Sequence, residues 1–334
     1  MSEWIRRVGG KPKFRYVNAA GKPVRDARTL ERIGKLVVPP GWSDVHIAAS
    51  ARAEVQAWGM DVKGRKQYRY HPRAVEKGQL RKYYRVRELA KELPALRKRI
   101  RKDAAAKSLT KRAVAAAVVR LISESFFRIG SERYATENKT FGIASLRKRH
   151  VQVADGRAVF TYVGKRSIKQ RQFVANRELA RLVKRHLESP GARLFRYKEG
   201  SRWRDLNARD VNEYLHDTLG VAFSAKDFRT WGGTLRAATV LAELGAAHSD
   251  TDARRNVATT MRLVAAELGN TPAICRKSYV HPLVVARYVD EGETIRLSPS
   301  HAPRPDLYAH SPEERALIRF LDEHFPERRG RSRS

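Results

Sequence analysis

Residues 108–130 (SLTKRAVAAAVVRLISESFFRIG) and 141–175 (FGIASLRKRHVQVADGRAVFTYVGKRSIKQRQFVA) decide the predicted fold, because the apolar period changes between them. In the first stretch apolar residues recur every three or four positions, which is typical of one face of a helix. In the second they alternate with polar residues, and Asp155–Gly156 is a typical hairpin turn. We therefore predict a long helix followed by three antiparallel strands, FGIASL, HVQVADGRAVFTYVG and RQFVA.

The regions before and after these two stretches are also predicted to differ, with strands on the N-terminal side and helices on the C-terminal side. The first seventy residues are predicted as short strands with turns, and WGMDVKGRKQYRYHP as two strands joined at Lys63–Gly64. From Asn176 to the end the pattern predicts helices only. These helices cover residues 176–187, 208–219, 225–244 and 252–269, with two more around Ile274–Val289 and Glu313–Glu323.

The predicted fold class is therefore α+β. A small β-rich N-terminal domain, residues 1–78, precedes a larger, mainly α-helical domain, residues 79–326, which contains a three-stranded antiparallel sheet. Residues 327–334 are a basic tail that we expect to be disordered.

The charge balance indicates a polyanionic partner. The chain has 334 residues, with 69 Lys plus Arg against 35 Asp plus Glu, which gives a formal net charge of +34. Such a surplus repels itself unless a polyanion offsets it, and nucleic acid is the natural candidate. Composition thus argues against an ordinary metabolic enzyme.

Several other classes are made less plausible by what the sequence lacks. The lone cysteine, Cys275, leaves no internal disulfide and no zinc site that needs several thiolates. The chain has no phosphate-binding glycine loop, no GxGxxG turn and no HExxH motif, so we expect neither a nucleotide cofactor nor a metal. Without an apolar run of about 18–20 residues or a signal peptide, we expect a cytoplasmic protein that does not bind membranes.

Five segments carry chemically suitable residues, although each is ambiguous alone. They are FFRIG, VGK, KDFRTWG, LGNTP and CRKSYVHP, and their candidate residues are Arg128, Lys165, Arg229, Asn270 and Tyr279. In this order and spacing the segments resemble those of type IB DNA topoisomerases, of the small, poxvirus-like bacterial kind. The N-terminal segments PPGW and GRKQYRYHP are similar to that family as well, so the resemblance runs from about Lys35 to Val289.

The resemblance implies a catalytic role for most of these residues. Tyr279 would be the nucleophile that forms a 3′-phosphotyrosyl intermediate, and Arg128 and Arg229 would stabilise the charged phosphate. Guanidinium groups suit this role because their planar fork meets two phosphate oxygens. Lys165 would be the general acid for the leaving O5′, although the nearby Lys169 stays open as an alternative.

One residue departs from the family pattern, since many members carry histidine where this chain has Asn270. An amide can donate a hydrogen bond but cannot exchange a proton, so only donation is expected there. The resemblance further implies DNA contacts for Gln67, Tyr68 and Tyr70. Lys226 precedes Arg229 by one helical turn and should project on a similar side, which favours a DNA contact over plain solvation. For the two tyrosines, the competing interpretation is one face of a strand that packs into a core.

The implied function is that of an ATP-independent isomerase. As a monomer that clamps double-stranded DNA, it would relax positive and negative supercoils without metal or cofactor. A tyrosine recombinase or integrase is the nearest alternative, but its helix usually has HxxR where this chain has KDFR, and its N-terminal lobe is helical. A non-catalytic DNA-compacting protein is the second alternative, because the net charge alone would suffice for it.

Overall fold

The chain folds into two compact units, Met1–Lys82 and Tyr83–Ser334. The predicted domain boundary between residues 78 and 79 stays a prediction, and the predicted disordered tail lies outside the described residues. The structure, a computed structural model, describes residues 4–10, 13–220, 223–297 and 306–324.

The N-terminal unit is built on a five-stranded antiparallel sheet with the strand order β2-β1-β3-β4-β5. Its elements are β1 (Trp4–Val8), β2 (Arg15–Val17), α1 (Ala27–Lys35), β3 (Ser43–Ala48), β4 (Val55–Met60) and β5 (Lys66–Tyr70). Strand alternation gives the sheet one apolar face, which packs against α1. The buried residues of this small core are Ile5, Ile33, Val45, Ile47 and Ala57.

The hairpin predicted at Lys63–Gly64 is confirmed, and it places β5 at the edge of the sheet. Asp61 organises the turn, because its carboxylate accepts from the backbone N–H groups of Lys63 at 2.9 Å and Arg65 at 3.0 Å. The Arg65 side chain donates to the same carboxylate. These charge-assisted bonds hold the pKa of Asp61 well below its usual range.

The second unit is mainly helical. The division between the units falls inside α2 (Pro72–Ala104). The elements that follow are α3 (Lys111–Ser125), α4 (Glu132–Glu137), β6 (Val151–Ala154), β7 (Arg157–Val163), β8 (Lys169–Val174), α5 (Arg177–Leu187), β9 (Arg196–Glu199), β10 (Arg202–Asp205), α6 (Ala208–Leu219), α7 (Ala225–Leu244), α8 (Asp250–Leu268), α9 (Pro272–Ser278), α10 (Pro282–Glu291) and α11 (Pro312–His324).

Helix α3 lies at the centre of this unit, and every residue from Ala113 to Ile122 is buried. Small alanine side chains let α6, α7 and β9 pack closely against it. Thr110 caps its N-terminus by accepting a hydrogen bond from Ala113 N. The predicted class, a β-rich N-terminal region and a larger helical domain with a small antiparallel sheet, is confirmed.

Two local predictions are wrong. FGIASL is not a strand, because Ile143–Ser145 forms a short 3-10 helix whose N–H groups bind the carbonyls of Arg128 and Ile129. The three strands of the sheet are β6, β7 and β8, with the Asp155–Gly156 turn as predicted. The region after Asn176 is not all helical either, since β9 and β10 form a hairpin of charged residues that carries no apolar alternation.

Within the described ranges, no helix combines the length and the apolar character that a transmembrane span requires.

Candidate active site

The backbone that carries Arg128 leaves α3 through an uncommon conformation. Phe126 is the C-cap of α3 and adopts left-handed backbone angles, with φ 53°. Phe127 then enters the core, where its ring lies edge-on to Phe160 with the ring centroids 4.9 Å apart. Anchoring this residue fixes the start of the FRIG segment and hence the position of Arg128.

Arg229, on the first turns of α7, is buried and links α7 to the ends of α3 and α8. Only 3% of its surface is exposed. Its guanidinium donates to the carbonyl oxygen of Phe126 through Nη1 and to that of Leu268, at 2.7 Å, through Nη2. Burial lowers the pKa of Arg229, the neighbouring Arg128 charge lowers it further, and the Tyr279 phenol opposes them.

Arg128 and Asn270 form the second half of the cluster. Arg128 Nη2 donates to the Gly269 carbonyl at 2.8 Å and to the Asn270 side-chain oxygen. Because a guanidinium can only donate, the amide oxygen must face Arg128 and the amide nitrogen must point elsewhere. Asn270 Nδ2 is buried, and it has no hydrogen-bond partner in the described part of the chain.

Tyr279 completes this group at the end of α9. The centre of the Arg229 guanidinium lies 5.1 Å from the centroid of the Tyr279 ring, within the range of a cation–π contact. The backbone of Tyr279 sits close to α7 because Gly233 has no side chain. A Cβ added at Gly233 would lie 2.9 Å from the Tyr279 carbonyl oxygen. The structure thus brings Arg128, Arg229, Asn270 and Tyr279 together.

Lys165 stands apart from these four residues. It is exposed on the short turn Lys165–Ser167 between β7 and β8. Among the residues that the structure describes, no hydrogen bond or ion pair joins Lys165 to the cluster. The hairpin itself reaches the cluster through Gln170, which is buried in β8. The Gln170 side chain lies so close to Gly269 that a Cβ added at Gly269 would overlap it.

Two further groups near the arginines carry no signal in the sequence. Burial raises the pKa of Tyr162 to about 12, and the charges of Arg128 and Arg229 oppose that shift. Its hydroxyl donates to Gln172 at 2.6 Å. Burial likewise raises the pKa of the Cys275 thiol to about 11. Both groups are therefore neutral near pH 7 and add no negative charge beside the two arginines.

The predicted DNA-contacting residues of β5 lie on both faces of that strand. Tyr68 and Tyr70 stack with their ring centroids 5.8 Å apart and are 41% and 52% exposed, so the interpretation of these two as core residues is wrong. Gln67 points the other way, and its amide nitrogen donates to Asp61 at 3.0 Å. Lys226, on the first turn of α7, is exposed.

The exposed tyrosines continue a row of rings that was not predicted from the sequence. His46 pairs with Trp58 across β3 and β4, and their rings stack at 4.0 Å. Trp58 in turn pairs with Tyr68, and Lys66 Nζ lies 3.7 Å from the Trp58 ring centroid. The only available signal was strand alternation, because the row is assembled from three strands, β3, β4 and β5.

No metal-binding group of three or more His, Cys, Asp or Glu side chains occurs among the described residues. The cluster itself offers two guanidinium groups, an amide donor and a phenol. Such an arrangement suits an anion, and it can stabilise negative charge on a tetrahedral or trigonal-bipyramidal centre beside the Tyr279 hydroxyl.

Gly232 provides a direct test of the close packing at the site. A Cβ at this position would overlap the ring of Phe126, whose carbonyl is held by Arg229. We expect Gly232→Ala to lower the free energy of unfolding by about 1–3 kcal/mol through overpacking. The measurement is the midpoint of urea unfolding.

Gly78→Ala is the matched control, because Gly78 lies inside α2 and an added Cβ there meets no atom within 4 Å. This variant should be stabilised by about 0.5–1 kcal/mol, since alanine is favoured in helices. Equal stability of Gly232→Ala and the unmodified protein would contradict the packing described here.

Comparison with known proteins gives a consistent result for both units. Residues 69–299 match the family model described as eukaryotic DNA topoisomerase I, catalytic core. Residues 13–61 match the model described as bacterial DNA topoisomerase IB, N-terminal domain. The first match alone covers more than half of the chain.

Individual relatives are viral proteins. The chain is 31% identical to a DNA topoisomerase 1B of Acanthamoeba polyphaga mimivirus over 303 residues, which cover 88% of this chain and 90% of that one. It is 27% identical to the DNA topoisomerase 1B of vaccinia virus (strain Copenhagen) over 247 residues, which cover 70% and 72%. The DNA topoisomerase I of monkeypox virus is 26% identical over the same length.

Proposed function

The chain belongs to the type IB DNA topoisomerase family and is an isomerase, and from that premise we propose that it relaxes positive and negative supercoils in double-stranded DNA. One strand would be cut, the duplex would rotate, and the same strand would be resealed. The observation that supports this function best is the cluster of Arg128, Arg229, Asn270 and Tyr279, in which Arg229 lies against the Tyr279 ring.

In the cleavage step we assign the nucleophile to Tyr279. Its hydroxyl oxygen attacks the scissile phosphorus and loses its proton, while the bond from phosphorus to O5′ breaks and O5′ takes up a proton. The product is a 3′-phosphotyrosyl bond and a free 5′-hydroxyl end. Because one phosphate ester replaces another, the energy of the broken phosphodiester bond is conserved, and we propose that resealing needs no ATP. We also propose that it needs no metal ion.

We assign Arg128, Arg229 and Asn270 to the non-bridging oxygens of the phosphate. Two donors support this assignment, because Arg229 Nε and Asn270 Nδ2 are both buried and neither has a partner among the described residues. Leaving buried donors unpaired costs about 1–3 kcal/mol each, so a bound phosphate that accepts from them would recover this energy. Fixed donors of this kind stabilise charge that develops in the transition state.

We assign the protonation of O5′ to Lys165, although no hydrogen bond or ion pair joins it to the cluster in the described part of the chain. The observation that supports this assignment is that Gln170 anchors the same hairpin beside Gly269. The exposed lysine at the tip could then reach the leaving oxygen when DNA is bound. Lys169, at the start of β8, is the alternative acid.

We propose that β5 and the start of α7 contact the DNA outside the catalytic cluster. Tyr68 and Tyr70 would contribute from one face of β5 and Gln67 from the other, which is possible because β5 is an edge strand. Lys226 would bind a phosphate one turn before Arg229. We further propose that the protein acts as a monomer on the DNA of the nucleoid.

The decisive experiment is incubation of the protein with negatively and positively supercoiled plasmid in EDTA without ATP. We expect a ladder of relaxed topoisomers with both substrates. A protein that only compacts DNA would retard the plasmid without changing its linking number. Strand exchange between two sites, with little relaxation, would favour a recombinase instead.

A further inference from the structure

The backbone that follows Tyr279 is held by side chains from two other helices. Helix α9 ends at Ser278, so the next carbonyl groups have no partner within it. The Val280 carbonyl accepts from the Tyr83 hydroxyl of α2 at 2.9 Å. The Thr234 hydroxyl of α7 lies 3.2 Å from the Tyr279 carbonyl and accepts from the His281 N–H at 3.0 Å.

The Tyr83 contact is buried and well defined. Tyr83 is 5% exposed and Val280 1% exposed. The Tyr83 ring also lies against the His281 ring, with the centroids 4.3 Å apart. Burial raises the pKa of Tyr83 to about 12, so its hydroxyl remains a neutral donor throughout the working pH range. The segment that carries Tyr279 is therefore fixed by α2 on one side and by α7 on the other.

Two residues further along α2, Arg85 makes a second contact between α2 and the elements that carry the site. Its Nε and Nη2 donate to Asp227 Oδ1 at 3.1 Å and 2.7 Å. The other carboxylate oxygen of Asp227 accepts from the backbone N–H of Ser224 at 2.8 Å and so caps α7. Asp227 is 1% exposed and lies two residues before Arg229. Arg85 therefore fixes the helix start that positions Arg229.

We propose that the segment Tyr83–Arg85 of α2 positions the nucleophile against the phosphate-binding arginine. Tyr83 holds the Tyr279 segment through the Val280 carbonyl, and Arg85 holds α7 through Asp227. Neither residue is a catalytic residue, because both act through other groups. This inference rests on the proposed function, since the distance between Tyr279 and Arg229 matters only if both act on one phosphate.

The test is single-turnover cleavage of a duplex at saturating protein, with the Tyr83→Phe variant. Removing one hydroxyl keeps the ring and frees the Val280 carbonyl. We expect cleavage and resealing to slow by a similar factor of about 10 to 100, because small misplacement of reacting groups is costly. DNA affinity and the shape of the pH–rate profile should not change, since Tyr83 takes no part in binding or proton transfer.

Tyr214→Phe is the matched control. Tyr214 is also buried, and its hydroxyl donates to Asp103 at 2.8 Å, so it loses one hydrogen bond without touching the Tyr279 segment. Its cleavage rate should equal that of the unmodified protein even if its melting temperature falls as much as that of Tyr83→Phe. Equal cleavage rates for the two variants would overturn the positioning role of Tyr83.

Arg85→Gln keeps the inference testable if Tyr83→Phe folds poorly. We expect it to slow cleavage as well, and we expect the double variant to be less impaired than the product of the single effects, because both residues set one distance. Strictly multiplicative effects would contradict a shared role. If the unmodified protein forms no covalent adduct, the proposed function itself fails, and that result is seen before any variant is compared.

Discussion

Replacing Tyr279 by phenylalanine is expected to abolish DNA cleavage, because no other group in the cluster offers a hydroxyl for the attack. Plasmid relaxation should disappear, and no protein–DNA adduct should survive denaturation in detergent. DNA affinity should stay nearly unchanged, since it depends on many Lys and Arg contacts with phosphates. Covalent adduct in this variant would contradict the assignment of the nucleophile.

Phenylalanine is a conservative replacement at this position. The ring contact with Arg229 and the backbone contacts of Tyr279 with α7 are retained. Tyr288→Phe serves as the control, because the Tyr288 hydroxyl donates to the Gly245 carbonyl at 2.8 Å within the same helical unit. This variant should relax plasmid at the normal rate.

The second large effect is expected at Lys165. An alkoxide is a poor leaving group, so Lys165→Ala should slow cleavage by about 10²–10⁴-fold if this lysine is the general acid. A sulfur atom at the 5′-bridging position leaves as a thiolate, whose conjugate acid has a pKa of about 8.5. That leaving group needs no protonation, so Lys165→Ala should cleave the sulfur substrate far faster than the natural one.

The comparison with other variants makes this experiment specific. Arg128→Ala and Arg229→Ala should regain much less activity on the sulfur substrate, because we assign them to the non-bridging oxygens. Lys169→Ala is the control, four residues further along the same hairpin. Rescue of Lys169→Ala instead of Lys165→Ala would make Lys169 the acid, and equal impairment of Lys165→Ala on both substrates would make Lys165 a positioning cation.

Local structure could be predicted from the sequence wherever one element follows its own apolar pattern. Helices α7 and α8 and the turn at Asp155–Gly156 are correctly predicted because their periodicity and turn residues are local properties. The hairpin of β9 and β10 was missed, since its strands carry charged residues on exposed positions. FGIASL was misread because its N–H groups bind the distant FRIG segment instead of a strand partner.

The sequence by itself determined the α+β class and the positive charge, because these depend on composition and local pattern, and it supplied the candidate site residues through the resemblance of its motifs to one family. Only the tertiary structure decided which candidates meet. The Arg128 side chain binds a carbonyl 141 residues away, and the Tyr83 hydroxyl binds one 197 residues away. No local pattern encodes such pairs, because they form only when α2, α3 and α7 pack around the ends of α8 and α9 and buried donors must find acceptors.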